Sequence, residues 1–180
     1  VGKKNIKFSV VRYGNVAGSR GSVIPIFKKL SLNDQYFPIT DLKMTRFWIT
    51  LSEGVNFVIK SFERMIGGEI FIPIIPSFKI TDLAKAINPK HKIKIIGLRP
   101  GEKINELMCS SDEASQVIRF KDYFIILPSI KNFAPSKKSY LVNNSKQKGK
   151  FVKRNFEFSS GKNKFLSIEE LKKKIKKIND

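Results

Sequence analysis

The sequence predicts an α/β fold, and three observations carry that prediction. Short apolar runs rich in β-branched and aromatic residues alternate with segments of helical periodicity. Two of the helical segments open on capping boxes, a local signal of helix starts. No internal repeat is present, and 180 residues suit one domain with a real core or a piece of a larger domain.

The elements follow in order. "IKFSVVRY" reads as a buried strand, apolar and free of acids. "SVIPIFKKLSL" reads as a short helix, with Pro25 in its first turn where a missing N–H costs nothing. "YFPI" is a short extended piece. "ITLSEGVNFVIKSFERM" is the strongest helix. Thr50 and Glu53 form its capping box, and Leu51, Val55, Val58 and Phe62 share one face. "GGEIFIPI" reads as a turn and a strand. "ITDLAKAIN" reads as a helix capped by Thr81, "KIKIIGL" as a strand, "GEKINELM" as a third helix and "YFIILP" as a strand. The stretch from Ser129 to Gly161 is loop-rich, polar and basic. "SIEELKKKIKKI" closes the chain as a helix with a Ser167–Glu170 capping box.

Composition narrows the function classes. No stretch approaches the roughly 18 apolar residues of a membrane span, and no apolar signal-peptide core is visible near Val1. Cys109 is the single cysteine, so no internal disulfide can form and a cytoplasmic setting is expected. His91 is the single histidine, expected to be exposed, which leaves little material for a zinc cluster or a histidine-based triad. The net charge is +20, with a surplus of 9 cations before residue 131 and 11 after it. Lysine supplies 28 of the 35 cations. That mix is typical of AT-rich coding and solvated faces. With no nucleic-acid motif present, nucleic acid is not an expected partner.

The loop "RYGNVAGSRGSVIPIF" asks for a separate account. It leaves a strand through Gly14, Gly18 and Gly21, with Asn15, Ser19, Ser22 and Arg20 as donors and no acid. In open α/β sheets, ligands sit beyond the carboxyl ends of strands. A loop that lets backbone approach a ligand and presents donors suits phosphate oxygens. An ordinary turn is the competing reading, because the spacing is not the dinucleotide fingerprint.

Four motifs in order carry a resemblance: "VVRYGNVAGSRGSVIPIF", "FPITDLKMTRFWITLSEGVNFV", "GGEIFIPIIPSFKITDLAKAI" and "GLRPGEKINELM". Together with "FEFSSGKNKFLSIEEL" they resemble the UDP-N-acetylglucosamine 4,6-dehydratases of polysaccharide biosynthesis, within the extended short-chain dehydrogenase/reductases. The resemblance is greatest to the inverting branch that opens pseudaminic acid synthesis. It implies a Rossmann-like fold of which this chain is the C-terminal, substrate-binding half. Residues 1–130 would then be the C-terminal part of the NAD(P)- and nucleotide-sugar-binding domain, and residues 131–180 a basic segment ending in a helix. Strands such as "FSVV" and "FIPI" would pack against a sheet this chain does not supply, leaving an apolar patch.

The resemblance also implies a chemistry. NADP takes hydride from C4 of a UDP-sugar, water leaves across C5 and C6, and hydride returns to C6. The family's glycine fingerprint and Tyr-x-x-x-Lys pair lie upstream of the quoted loop. Here Tyr13, Tyr36, Tyr123 and Tyr140 are followed four residues on by Ala17, Thr40, Leu127 and Asn144, so this chain has no such pair and is expected to be inert alone. By resemblance, Asn15 and Val23 touch the sugar nucleotide, Thr40 lies near the uracil, Arg99 pairs with the diphosphate and Glu102 accepts from the ribose hydroxyls. Val16, Ala17, Gly18, Ser19 and Arg20 approach the nicotinamide half of NADP. A guanidinium fork suits two phosphate oxygens and a carboxylate suits a vicinal diol. Arg46 is open between an ion pair and the nucleotide, Phe47 and Trp48 are expected in the core, and Cys109 as a buried residue ending a helix. A homo-oligomer is implied for the whole enzyme. The alternatives are a retaining 4,6-dehydratase or a 4-epimerase of capsule synthesis, whose C-terminal halves share "RPGEK", and a non-catalytic anion-binding module.

Overall fold

The computed structural model describes residues 6–33, 36–129 and 135–178. In chain order they form β1 (Val10–Val11), α1 (Val23–Leu30), β2 (Phe37–Ile39), β3 (Thr45–Phe47), α2 (Leu51–Arg64), β4 (Ile70–Pro73), β5 (Ser77–Lys79), α3 (Ile80–Ile87), β6 (Ile93–Ile95), β7 (Leu107–Cys109), β8 (Val117–Arg119), β9 (Tyr123–Ile126), β10 (Lys150–Phe151), β11 (Phe158–Ser159) and α4 (Ile168–Lys176). The expected α/β class is what this mixed architecture with parallel pairing amounts to. The chain divides into two compact units, one of Val1–Tyr13, Ser52–Ile74 and Leu107–Phe158, the other of Gly14–Leu51, Ile75–Glu106 and Ser159–Asp180. The expected boundary at 130/131 lies outside the described residues.

The first unit is a mixed sheet of order β1-β4-β9-β8-β10. β1 and β4 run parallel, which requires a crossover between them, and α2 lies in that connection. The remaining pairs are antiparallel. The core gathers Phe57, Phe71, Ile118, Phe120, Tyr123, Ile125, Leu127 and Tyr140. Phe120 stacks on Tyr123 at 4.6 Å, and the buried Arg64 guanidinium sits 4.6 Å over the same tyrosine ring. The Glu69 carboxylate is buried but accepts from the amides of Ile66 (2.6 Å) and Gly67 (2.7 Å) and from the Ser9 hydroxyl (3.0 Å), so its oxygens are satisfied.

Three sequence expectations change in this unit. The strand at "IKFSVVRY" reduces to Val10–Val11, and it is not buried: Phe8 is 60% and Val10 57% exposed. "FIPI", by contrast, buries Phe71 and Ile72. In α2 the buried residues are Gly54, Phe57, Ser61 and Arg64, while Leu51, Val55, Val58 and Phe62 are exposed. The helix has apolar residues on more than one side, and the sheet takes the side carrying Phe57. Cys109 is buried as expected, but it ends a strand and not a helix. Desolvation first, then the Glu113 charge, pushes its thiol up to about 12, which makes it unreactive.

The second unit packs α1, α3 and α4 with the parallel pair β2–β6 and the antiparallel pair β3–β5. Phe27 stacks on Phe37 at 4.5 Å, and Trp48 meets Phe78 edge-on at 5.6 Å. Phe47 and Trp48 are buried, as expected. The Ser167–Glu170 capping box is formed with both of its bonds. Pro25 lies in the first turn of α1. α3 starts two residues earlier than a Thr81 cap would place it: Lys79 is the cap residue and makes no side-chain cap bond. His91 is only partly exposed, because its ring packs 4.2 Å from Phe37.

The expected helix at "GEKINELM" is absent, and backbone partners explain why. The Glu102 amide donates to Arg99 O (3.0 Å), Ile104 O accepts from Thr45 N (2.9 Å), and Glu106 exchanges bonds with Ser160. Glu102 is taken by a tight turn and Ile104 and Glu106 by distant partners, so no i to i−4 ladder forms. Among the described residues no helix is long and apolar enough to cross a membrane.

Candidate functional site

The second unit contains a cavity of about 480 Å³. Three pieces of chain bring the sequence-predicted residues to it. The first is the glycine loop. Val16 bridges to Ile49 in parallel, and the Ala17 amide donates to Ile49 O at 2.8 Å. The loop then turns through bonds from Ser19 N to Val16 O (3.3 Å) and from Ser22 N to Ser19 O (3.0 Å). Gly18 and Gly21 take φ of +80° and +76°, a region that favours glycine. The second piece is the end of β2, which supplies Thr40. Its hydroxyl lies 3.2 Å from the Met44 sulfur and 3.5 Å from Glu102 Oε1. The third is the turn Arg99–Glu102. Glu102 Oε2 accepts from the Arg99 amide (3.1 Å), and Gly101 holds φ at +77°.

Asn15, Val16, Ala17, Val23, Thr40, Arg99 and Glu102 all line this cavity. Gly18, Ser19 and Arg20 are not among its lining residues. Ser19 and Arg20 are exposed, and Gly18 lies against Ile178, beyond the end of α4. Sequence reasoning missed Pro38, Ile39 and Met44 as lining residues, since an apolar wall carries no motif. It left Arg46 open. The structure gives Arg46 an ion pair with Glu106 at 3.8 Å and a 4.0 Å contact with Glu102.

The electrostatics are lopsided. The Arg99 side chain makes no ion pair or hydrogen bond among the described residues, whereas Arg46 is engaged by two carboxylates. Burial raises the Glu106 carboxyl above its ordinary value, partly offset by the Phe47 amide and by Arg46. Ser22 caps α1 without a side-chain cap bond, and its Oγ is buried with no partner among the described residues. Among the described residues, the lining holds two arginines and one carboxylate, but no lysine, tyrosine, histidine or cysteine. Such a site can orient an oxygen-rich anion. Its described residues include no proton-transfer pair.

Residues 1–128 match the family model described as polysaccharide biosynthesis protein. A UDP-N-acetylglucosamine 4,6-dehydratase (inverting) from Campylobacter jejuni serotype O:2 is 53% identical over 169 residues, 93% of this chain and 50% of that protein. A UDP-glucose 4-epimerase from Rickettsia rickettsii is 36% identical over 167 residues, 91% of this chain and 47% of the other. Among solved structures, Pen from Bacillus thuringiensis superposes with a TM-score of 0.76 at 32% identity, covering 98% of this chain and 51% of Pen. The chain spans about half the length of the curated relatives it matches.

Proposed function

This chain belongs to the polysaccharide biosynthesis protein family, and we propose that it is the nucleotide-sugar-binding half of a UDP-N-acetylglucosamine 4,6-dehydratase. The observation that carries the reading is the cavity. Asn15, Val23, Thr40, Glu102 and an uncommitted Arg99 converge there, in a chain 53% identical to a dehydratase of that name. The Arg99 guanidinium would take diphosphate oxygens through charge-assisted bonds. Glu102 would accept from the ribose, beside Thr40 and the uracil. Asn15 and Val23 would hold the sugar.

In this reading a nicotinamide cofactor, expected to be NADP, supplies removal of hydride from the sugar and its return. Val16 and Ala17 fit that group, since both reach the cavity wall with their backbone fixed on Ile49. Gly18, Ser19 and Arg20 would meet it from the outer side of the loop. Most of the cofactor cradle and the Tyr-x-x-x-Lys pair would come from a stretch not represented here, in a Rossmann-like fold of the extended short-chain dehydrogenase/reductase kind. The 180 residues alone would then bind without turnover, in a cytoplasmic, oligomeric whole. A 4-epimerase is the second reading, supported by the 36% identical Rickettsia relative. The higher identity to the dehydratase favours the first.

Calorimetric titration of the chain with UDP tests the site. Arg99→Ala is expected to weaken binding about 10- to 100-fold, at about 1.4 kcal/mol per factor of ten. Arg99→Lys should recover part of that, and Glu102→Gln should cost less than Arg99→Ala, since an amide oxygen still accepts. Lys173→Ala, on α4, should change nothing. If Arg99→Ala bound UDP like the parent while Lys173→Ala lost affinity, the nucleotide would lie elsewhere.

A further inference from the structure

Ser160 is not among the residues that line the cavity, yet it ties together two pieces of chain that are. It is fully buried, and so is Thr45 beside it. Its Oγ accepts from the Glu106 amide (2.8 Å), and its own amide donates to Glu106 O (2.8 Å). The same Oγ lies 2.7 Å from Thr45 Oγ1. Thr45 has one hydroxyl proton and gives it to Asn105 Oδ1 (2.7 Å), so the Ser160 hydroxyl is the donor in that contact. Hydrogen bonds therefore run in one direction, from the Glu106 amide through Ser160 and Thr45 to Asn105. Each hydroxyl both accepts and donates, so both are satisfied away from water. The Thr45 amide adds a bond to Ile104 O (2.9 Å). Gly161 leaves room for this knot, since a Cβ there would fall 2.7 Å from Asn105 Cγ.

We propose that Ser160 is a positioning residue of the nucleotide site: it holds the Arg99–Glu102 turn against β3 without itself meeting the ligand. The assignment rests on the nucleotide-site reading above. Arg46 and Phe47 follow Thr45 on β3 and line the cavity, and Arg99 and Glu102 line it just before Ile104. The turn's own short bonds run between Arg99 and Glu102, and Gly101 at positive φ gives it freedom. Beyond them, among the described residues, Glu102 has long contacts to Thr40 (3.5 Å) and Arg46 (4.0 Å). The firm anchor is the stretch Ile104–Glu106, which Thr45 and Ser160 fix and to which Arg46 Nη1 adds a bond at Ile104 O (3.1 Å). Removing the Ser160 hydroxyl leaves the Glu106 amide without its acceptor and Thr45 Oγ1 without its donor.

The test uses Ser160→Ala, Thr45→Val and Thr45→Ser in the 180-residue chain, with Ser167→Ala as the control. Ser167 caps α4, so its loss lowers stability without touching the turn. Backbone order parameters from NMR are read at the amides of Arg99, Gly101 and Glu102, with the buried Leu171 of α4 as the internal reference, and UDP affinity is read by calorimetry. In Ser160→Ala the turn is expected to fall from about 0.85 to below about 0.6 while Leu171 stays rigid, and UDP affinity to fall about tenfold. Thr45→Val keeps the shape and removes the hydroxyl, so it should act in the same direction, and Thr45→Ser should restore both readings. Thr45→Val decides the matter if Ser160→Ala does not fold. In an Arg99→Ala background, Ser160→Ala should cost little further affinity, because the side chain it positions is gone. A turn as ordered in these variants as in the parent overturns the proposal. So does an affinity loss that Ser167→Ala matches, which would come from stability alone. If the parent does not bind UDP, the nucleotide reading fails, and the order parameters still decide whether Ser160 holds the turn.

Discussion

Gly18→Ala separates two roles that the glycine loop combines. Gly18 has φ of +80°, and a Cβ built there overlaps Cγ2 of Ile178, with Ile178 Cβ and Cδ1 at 3.8 and 3.9 Å. Gly21 has nearly the same φ, +76°, with nothing within 4 Å of its Cβ position. Both substitutions meet the left-handed penalty of about 1–2 kcal/mol, reduced by the entropy that alanine removes from the unfolded chain, about 0.4–1 kcal/mol. Only Gly18→Ala must also displace Ile178, which packs against the core of α1, α3 and α4. Overpacking of this kind costs about 1–3 kcal/mol. Gly18→Ala is therefore expected to be less stable than Gly21→Ala by about 1–3 kcal/mol in urea unfolding, read from the midpoints at constant slope. The Ile178→Ala background should remove most of that difference, because the overlapping atom is gone. A gap between the two glycine variants under about 0.5 kcal/mol, within ordinary non-additivity, would refute the reasoning and leave Gly18 free to serve the ligand alone.

Two further outcomes follow from burial. Tyr123 and Tyr140 are buried, and desolvation pushes both phenols up to about 12 from 10.0. The fold favours the neutral form, so their contribution is complete below about pH 10, where the unfolded phenol ionises, and is lost as pH rises towards about 12. Because lysines titrate in the same range, the parent is compared with Tyr123→Phe/Tyr140→Phe. The parent's unfolding midpoint should fall more steeply above pH 10 than the variant's, and parallel curves would contradict the burial. On α2, Phe57→Ala should cost about 3–5 kcal/mol, whereas Phe62→Gln, at a side chain 75% exposed, should stay within about 0.5 kcal/mol. Equal losses in denaturant unfolding would mean that the helix buries the face carrying Phe62.

What the sequence determined by itself is local or motif-borne. The Ser167–Glu170 capping box formed because both of its bonds lie within four residues. Pro25 fell in a first helical turn, where its missing N–H has no intrahelical partner to lose. The quoted glycine loop and the Arg99–Glu102 turn belong to one cavity, and their motifs matched the family over residues 1–128. Tertiary structure decided the rest. α2 has apolar residues on two sides, so periodicity alone could not choose Phe57 over Phe62; the sheet beneath it did. The stretch from Gly101 to Met108 has helical composition, but Thr45 and Ser160 claim its backbone groups from about 60 positions away in sequence. Gly18 reads as a ligand glycine until Ile178 is seen against it. Arg46 could have faced a nucleotide or an acid. The structure sets it 3.8 Å from Glu106 and 4.0 Å from Glu102, more than fifty residues distant in sequence, while it also lines the cavity; spacing along the chain could not show this, because an ion pair depends on distance in space.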